Sequence, residues 1–195
     1  MDQPKIVIGL TGTLLAGKDT VAHMLKEKGC SLVVLSDIIR EELKNQGIEA
    51  NRITLQDMGN WLRKEYGSQV LVERALAKHK SYTNILVIDG IRNPDEIVFL
   101  RNHSKFFLIA VDAPFEVRWN RLKARNRDAE LLNHDKFVID DARDRGFNEP
   151  LTGQQVGMCL VQADFLINND EDHARVEDSP LYKRVNEIYR EILKK

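Results

Sequence analysis

The sequence predicts an α/β protein: a five-stranded parallel sheet with helices on both faces. Three observations carry this. Five short apolar runs, mostly rich in Val, Ile or Phe, are too short for buried helices and read as strands covered on both sides. Amphipathic helical stretches separate them, the alternation of a doubly wound sheet. At 195 residues, the chain is the size of a single domain that buries roughly 70% of its unfolded surface, with room for an inserted subdomain.

In chain order, the first run is Ile6–Leu10, and an amphipathic helix marked by Val21, Met24 and Leu25 follows shortly after. The second run is Leu32–Leu35. About three helical patterns then fill Asp37–Lys80 with no strand among them. The third run, Ile85–Ile88, precedes Pro94, expected in the first turn of a helix with Asn93 as its cap. The fourth, Phe106–Val111, precedes Pro114, which also reads as a first-turn proline. Helical patterns without a strand recur over Glu116–Val161. Both insertions exceed ordinary loops, the mark of functional lids. The fifth run is Asp164–Ile167. Ser179-Pro180 opens a last helix with Leu181, Val185, Ile188 and Ile192 on one face.

Composition excludes several classes. Lys and Arg number 29 against 30 Asp and Glu, a net charge of −1, which argues against a basic nucleic-acid coat and against an acidic disordered tail. Cys30 and Cys159 lie far apart without CxxC spacing, so neither a disulfide framework nor a zinc site is expected, and a reducing compartment fits. No run reaches the roughly 18 apolar residues of a spanning helix, and the apolar start is too short for a signal-peptide core. The expectation is a cytoplasmic protein with no nucleic-acid or membrane partner, either monomer or homodimer.

The strongest motif is Gly12-Thr13-Leu14-Leu15-Ala16-Gly17-Lys18-Asp19-Thr20. A strand, GxxxxGK and a helix make a phosphate-binding loop. Gly12 and Gly17 permit backbone angles that aim N–H groups at an anion, the helix N-terminus adds positive potential, and Lys18 is expected to reach the β/γ-phosphates. The predicted fold is thus a P-loop NTPase, and ATP with Mg²⁺ is the expected cofactor pair. The residue after the lysine is Asp19 where Ser or Thr is usual, and Thr20 follows. Asp19 is expected to face away from the phosphates. Asp89 ends the third apolar run, where a carboxylate can hold Mg²⁺; Thr20 and Asp89 are the expected metal residues.

Arginines gather where phosphoryl charge must be neutralised. Arg40 follows the second strand, Arg92 the third, and Arg118, Arg121, Arg125 and Arg127 the fourth. Arg40 and Arg92 are expected to bind substrate. Any single arginine of the last group, taken alone, reads as part of a solvated helix face.

These residues resemble the nucleoside monophosphate kinase group of P-loop kinases. Gly17-Lys18-Asp19-Thr20 is similar to that group's Gly-Lys-Gly-Thr, with Asp for Gly. Ser36-Asp37-Ile38-Ile39-Arg40 resembles the segment opening its monophosphate-binding helices, and Asp89-Gly90-Ile91-Arg92 its Asp-Gly-Phe-Pro-Arg without the Pro. Arg121 to Arg127 resembles the start of its lid, and Ala163–Asn169 its last strand and the turn beside the adenine. Several stretches also resemble dephospho-CoA kinase, whose lid reads Arg-Leu-x-x-Arg. The resemblance implies a kinase with an acceptor-binding insertion over 37–80 and a lid over 116–161. It implies an ATP site of Gly12, Thr13, Ala16, Gly17, Lys18, Asp19, Thr20 and Asn168, a substrate site of Asp37, Arg40 and Arg92, to which the insertion adds Arg63, and catalytic roles for Lys18, Asp37, Arg121 and Arg125.

A monophosphate acceptor needs no general base, whereas the ribose hydroxyl of dephospho-CoA does. Asp37 could supply one, or could cap the helix that follows it. The Asp-Gly-Ile-Arg string and the long insertion favour a nucleotide acceptor. There Arg63 and Trp61 could frame a phosphate and a base, although core packing is the expected role of Trp61. The rival from another class is a non-catalytic nucleotide-binding module, for which Arg40 and Arg92 would have no purpose.

Overall fold

The computed structural model describes residues 4–79, 83–125, 133–170 and 179–195. Its five strands are β1 (Ile6–Gly12), β2 (Ser31–Val34), β3 (Ile85–Asp89), β4 (Phe106–Asp112) and β5 (Phe165–Asn168). All pairs are parallel, and the order is β2-β3-β1-β4-β5. The described helices are α1 (Lys18–Glu27), α2 (Leu35–Asn45), α3 (Arg52–Tyr66), α4 (Val70–Lys78), α5 (Pro94–His103), α6 (Phe115–Arg125), α7 (His134–Arg145), α8 (Val156–Leu160) and α9 (Pro180–Lys194). None is long and apolar enough to cross a membrane.

Because side chains alternate along a strand, the sheet feeds two cores. Val7, Leu86, Ile88 and Leu108 face one side, against Leu35 and Ile38 of α2, Leu71 of α4 and Ile97 of α5. Ile8, Leu10, Val87 and Ile109 face the other, against Val21 and Leu25 of α1 and the buried stripe of Leu181, Val185, Ile188 and Ile192 on α9. Each such side chain, fully buried, contributes roughly 1.5–3 kcal/mol. β1 stands between β3 and β4, so the chain switches sides of the sheet around it. The crevice at its carboxyl end is where ligands bind in such sheets.

Two local expectations shift. Leu35 leaves the strand and opens α2, where it is buried in the core. Pro114 stands one residue before α6, its carbonyl accepting from the Arg118 N–H at 3.1 Å. Asn93 caps α5 as expected, with Pro94 in the first turn and Glu96 completing a capping box. The stretch 37–80 holds most of α2 with α3 and α4, and 116–161 holds most of α6 with α7 and α8.

Candidate active site

β1 runs into the loop through Gly12, whose φ is +149°. A Cβ there would lie 2.0 Å from the Val111 carbonyl oxygen, so only glycine lets the two strands close at this end. Gly17 is the N-cap of α1 at φ +100°, and a Cβ on it would meet Asn169 Nδ2 at 2.5 Å. Between them Thr13 Oγ1 donates to Asp112 Oδ1 at 2.6 Å, which fastens the loop to the end of β4. Lys18 is buried and its Nζ donates to the Thr13 carbonyl at 3.3 Å. Burial, and then the charge of Arg92, hold its ammonium below the usual lysine range, against the opposing pull of Asp89, Asp144 and Asp19. Asp89, at the end of β3, is raised by burial, with Lys18 acting the other way. Its Oδ1 is buried without a hydrogen-bond partner.

Two arginines of α6, Arg118 and Arg121, underpin this loop and are buried, not part of a solvated face. Arg118 is fully buried. It donates to the Ala113 and Leu14 carbonyls at 2.9 and 3.2 Å and pairs with Asp141 of α7 through two bonds of 2.5 and 3.0 Å. Arg121 donates to the carbonyls of Leu15, Ala16 and Asn169 at 3.3, 3.2 and 2.8 Å. These bonds make it a brace for the loop. The Arg125 side chain and Arg127 lie outside the described residues. The asparagine at the loop is Asn169, which donates from Nδ2 to the Ala16 carbonyl at 2.8 Å. The expected Asn168 is exposed, because the alternation of β5 sends it outward and the next residue in.

A cavity of about 820 Å³ opens in front of the loop, lined by Lys18, Asp89 and a wall of Arg40, Arg52, Arg63 and Arg92. Asp19 also lines it, contrary to its expected outward orientation, whereas Thr20 is not among the lining residues. Gly12, Thr13 and Ala16 are buried beneath the loop surface. Asp37 does not cap α2, since the N-cap is Val34. Its side chain is 67% exposed and holds Arg40 in an ion pair of 2.7 Å, while Arg40 also donates to Ser36 Oγ at 2.7 Å. Trp61 is not a core residue. It is 41% exposed and meets Tyr66 edge to face.

Sequence reasoning passed over Arg52 in this wall, and the partners Glu96, Asp140, Asp144 and Gln154 that hold its arginines. Arg63 and Glu96 form a fully buried pair, Nε and Nη2 at 3.0 and 2.9 Å from Oε1. Arg92 pairs with Asp144 and donates to Gln154 at 3.2 Å. Arg52 stands 3.3 and 3.7 Å from Asp140 and Asp144. Arg143 of α7 reaches Asp57 and Gln56 of α3 at 2.7 and 3.2 Å. α3 and α7 are therefore tied directly to each other. One signal was available: Asp112 ends β4 as Asp89 ends β3.

Mg²⁺ binds through hard oxygen donors and keeps several waters. Asp19 and Asp89 fit it: both carboxylates line the cavity beside Lys18, and one Asp89 oxygen is buried and unpaired. Among the described residues there is no group of three or more potential metal ligands, so these two carboxylates would share the ion with water and phosphate oxygens.

Comparisons agree with this architecture. A family model described as an AAA domain matches residues 8–136. A UPF0200 protein of Methanocaldococcus jannaschii is 30% identical over 202 residues, covering 94% of this chain and 98% of that one. Shikimate kinase from Bacteroides thetaiotaomicron superposes with a TM-score of 0.55 at 18% identity, over 97% of this chain and 99% of its own. The APS kinase CysC of Mycobacterium tuberculosis, solved with AMPPNP and APS, gives 0.52 at 16% identity over 100% of both chains. The structural likenesses show a shared P-loop kinase fold.

Proposed function

This chain belongs to the UPF0200 family and carries an AAA domain, and we propose that it is an ATP-dependent phosphotransferase whose acceptor is a nucleoside monophosphate. The observation that carries this reading is that Lys18 and Asp89 open on the same cavity as Arg40, Arg52, Arg63 and Arg92. A phosphate-binding loop and a cationic wall thus share one space, which suits transfer between two anionic partners.

In this reading the loop N–H groups and Lys18 bind the donor phosphates. Asp19 and Asp89 hold Mg²⁺, which supplies charge neutralisation at the transferring phosphoryl. Arg118, Arg121 and Asn169 keep the loop in shape from behind, and the arginine wall orients the acceptor. The insertion over 37–80 binds that acceptor, and the segment 116–161 closes over it to exclude water. A monophosphate oxygen is already ionised, so no base is required. That favours it over a hydroxyl acceptor, because Asp37 is exposed and bound to Arg40 and so is poorly placed to take a proton.

A coupled assay of ADP release over a panel of nucleoside and deoxynucleoside monophosphates and dephospho-CoA tests the proposal. Turnover with a monophosphate, lost by several orders of magnitude in Lys18→Ala, is the expected result. Tight ATP binding with no turnover on any acceptor would instead mark a non-catalytic nucleotide-binding module.

A further inference from the structure

We propose that, within the arginine wall, the acceptor phosphate is seated on α3, in a subsite whose donors are Gln56 and Arg63, with Gly59 between them. The inference rests on the phosphotransferase reading of the same cavity.

Four buried side-chain nitrogens on that helix make no hydrogen bond, but the two of Arg52 stand 3.3 and 3.7 Å from the carboxylates of Asp140 and Asp144, which leaves one each on Gln56 and Arg63. Arg63 is 1% exposed; Glu96 takes its Nε and Nη2, and Nη1 is left unpaired. Gln56 is 4% exposed, and its Oε1 accepts from Arg143 Nη1 at 3.2 Å. Arginine only donates, so the carbonyl end of the amide must face it. The Nε2 end is then the free one, and it too is buried and unpaired. Native proteins keep few such orphans, because an unpaired buried donor is destabilising. Here both belong to residues lining the cavity.

The helix geometry brings them together. Gln56 and Arg63 are seven residues apart, two turns, so they share a face, with Gly59 between them. A Cβ on Gly59 would stand 3.4 Å from Arg63 Nη1 and 3.2 Å from Ile39 Cδ1. Glycine therefore keeps open the space beside the unpaired nitrogen. The unprotonated oxygens of a phosphate accept hydrogen bonds, which matches a subsite of N–H groups. Arg40, in contrast, is exposed and Arg92 only part-buried, and each already shares its Nη1 with a carboxylate, Asp37 and Asp144, so neither leaves a buried donor without a partner.

The test is calorimetric titration of the full chain with inorganic phosphate and with AMP, the loop first saturated with AMPPNP and Mg²⁺. Gln56→Glu keeps an oxygen toward Arg143 and replaces the free donor with a second oxygen. It should weaken phosphate and AMP binding by about tenfold or more, with AMPPNP affinity unchanged within about twofold. Gly59→Ala, which fills the space beside Nη1, should cause a loss of the same kind and serves if the first variant does not fold. Binding of phosphate and AMP equal in wild type and both variants, or absent from the wild type, overturns the subsite. So does a loss confined to Arg40→Ala. A wild type that fails to bind AMPPNP but still binds phosphate in a Gln56→Glu-sensitive way upholds the subsite and sinks the phosphotransferase reading, so the two failures are distinguishable.

Discussion

Removing the Glu96 carboxylate should destabilise the protein more than most single changes. Glu96 is completely buried at the start of α5. Its Oε1 binds two nitrogens of Arg63 at 3.0 and 2.9 Å, and its Oε2 accepts from the Arg92 and Asn93 N–H groups at 2.8 and 3.1 Å. Glu96→Ala leaves a buried guanidinium without its counter-charge and two helix-start donors unpaired. Losing one partner of a buried pair costs about 3–5 kcal/mol, a large share of the roughly 10 kcal/mol that holds such a domain together. With a urea slope of about 2–3 kcal/mol per M, the unfolding midpoint should fall by about 1.5 M. Arg63→Met combined with Glu96→Leu should recover part of the loss, because no lone charge remains, but not the part due to the two backbone donors. Equilibrium urea unfolding followed by far-UV circular dichroism measures both. A midpoint for Glu96→Ala within about 0.3 M of wild type would refute the reasoning, as would a double variant less stable than the single one.

Two more expectations concern charge. Asp19→Asn and Asp89→Asn should each raise the Mg²⁺ concentration needed for half-maximal AMPPNP binding by about tenfold; an unchanged requirement in both would remove these carboxylates from the metal site. Burial holds His79 below the usual histidine range. As pH falls, the unfolded chain therefore takes up its proton first, and stability should decline below about pH 6.5 while staying flat above it. His79→Phe should shallow that decline in urea midpoints measured across this range, and an identical pH profile would exclude the contribution.

Much of the fold could be read from local pattern. The five strands, the helical insertions, the Asn93 cap and the buried stripe of α9 all follow from side-chain period and turn chemistry within a few residues. So does the loop, because its glycines, lysine and helix start are consecutive. The site was less legible where the decisive neighbour is remote. Asp19 was expected to face outward as a first-turn residue of α1, yet it lines the cavity. Asn168 lost its place to Asn169 through strand alternation alone, a parity that depends on where β5 begins.

The basic residues divide in the same way. Chain order showed that arginines collect after the strand ends, but not which of them are available to a ligand. Arg121 turned inward to the loop carbonyls, and Arg118 to Asp141. Arg40 is paired with Asp37, and Arg92 with Asp144, 52 residues away, each through Nη1. Arg63, paired with Glu96 33 residues away, retains an unpaired nitrogen. Periodicity and turn preference act between near neighbours and survive in the bare sequence. The pairing of buried charges is settled only when distant helices pack, because each guanidinium takes whichever carboxylate or carbonyl the closed fold brings within reach.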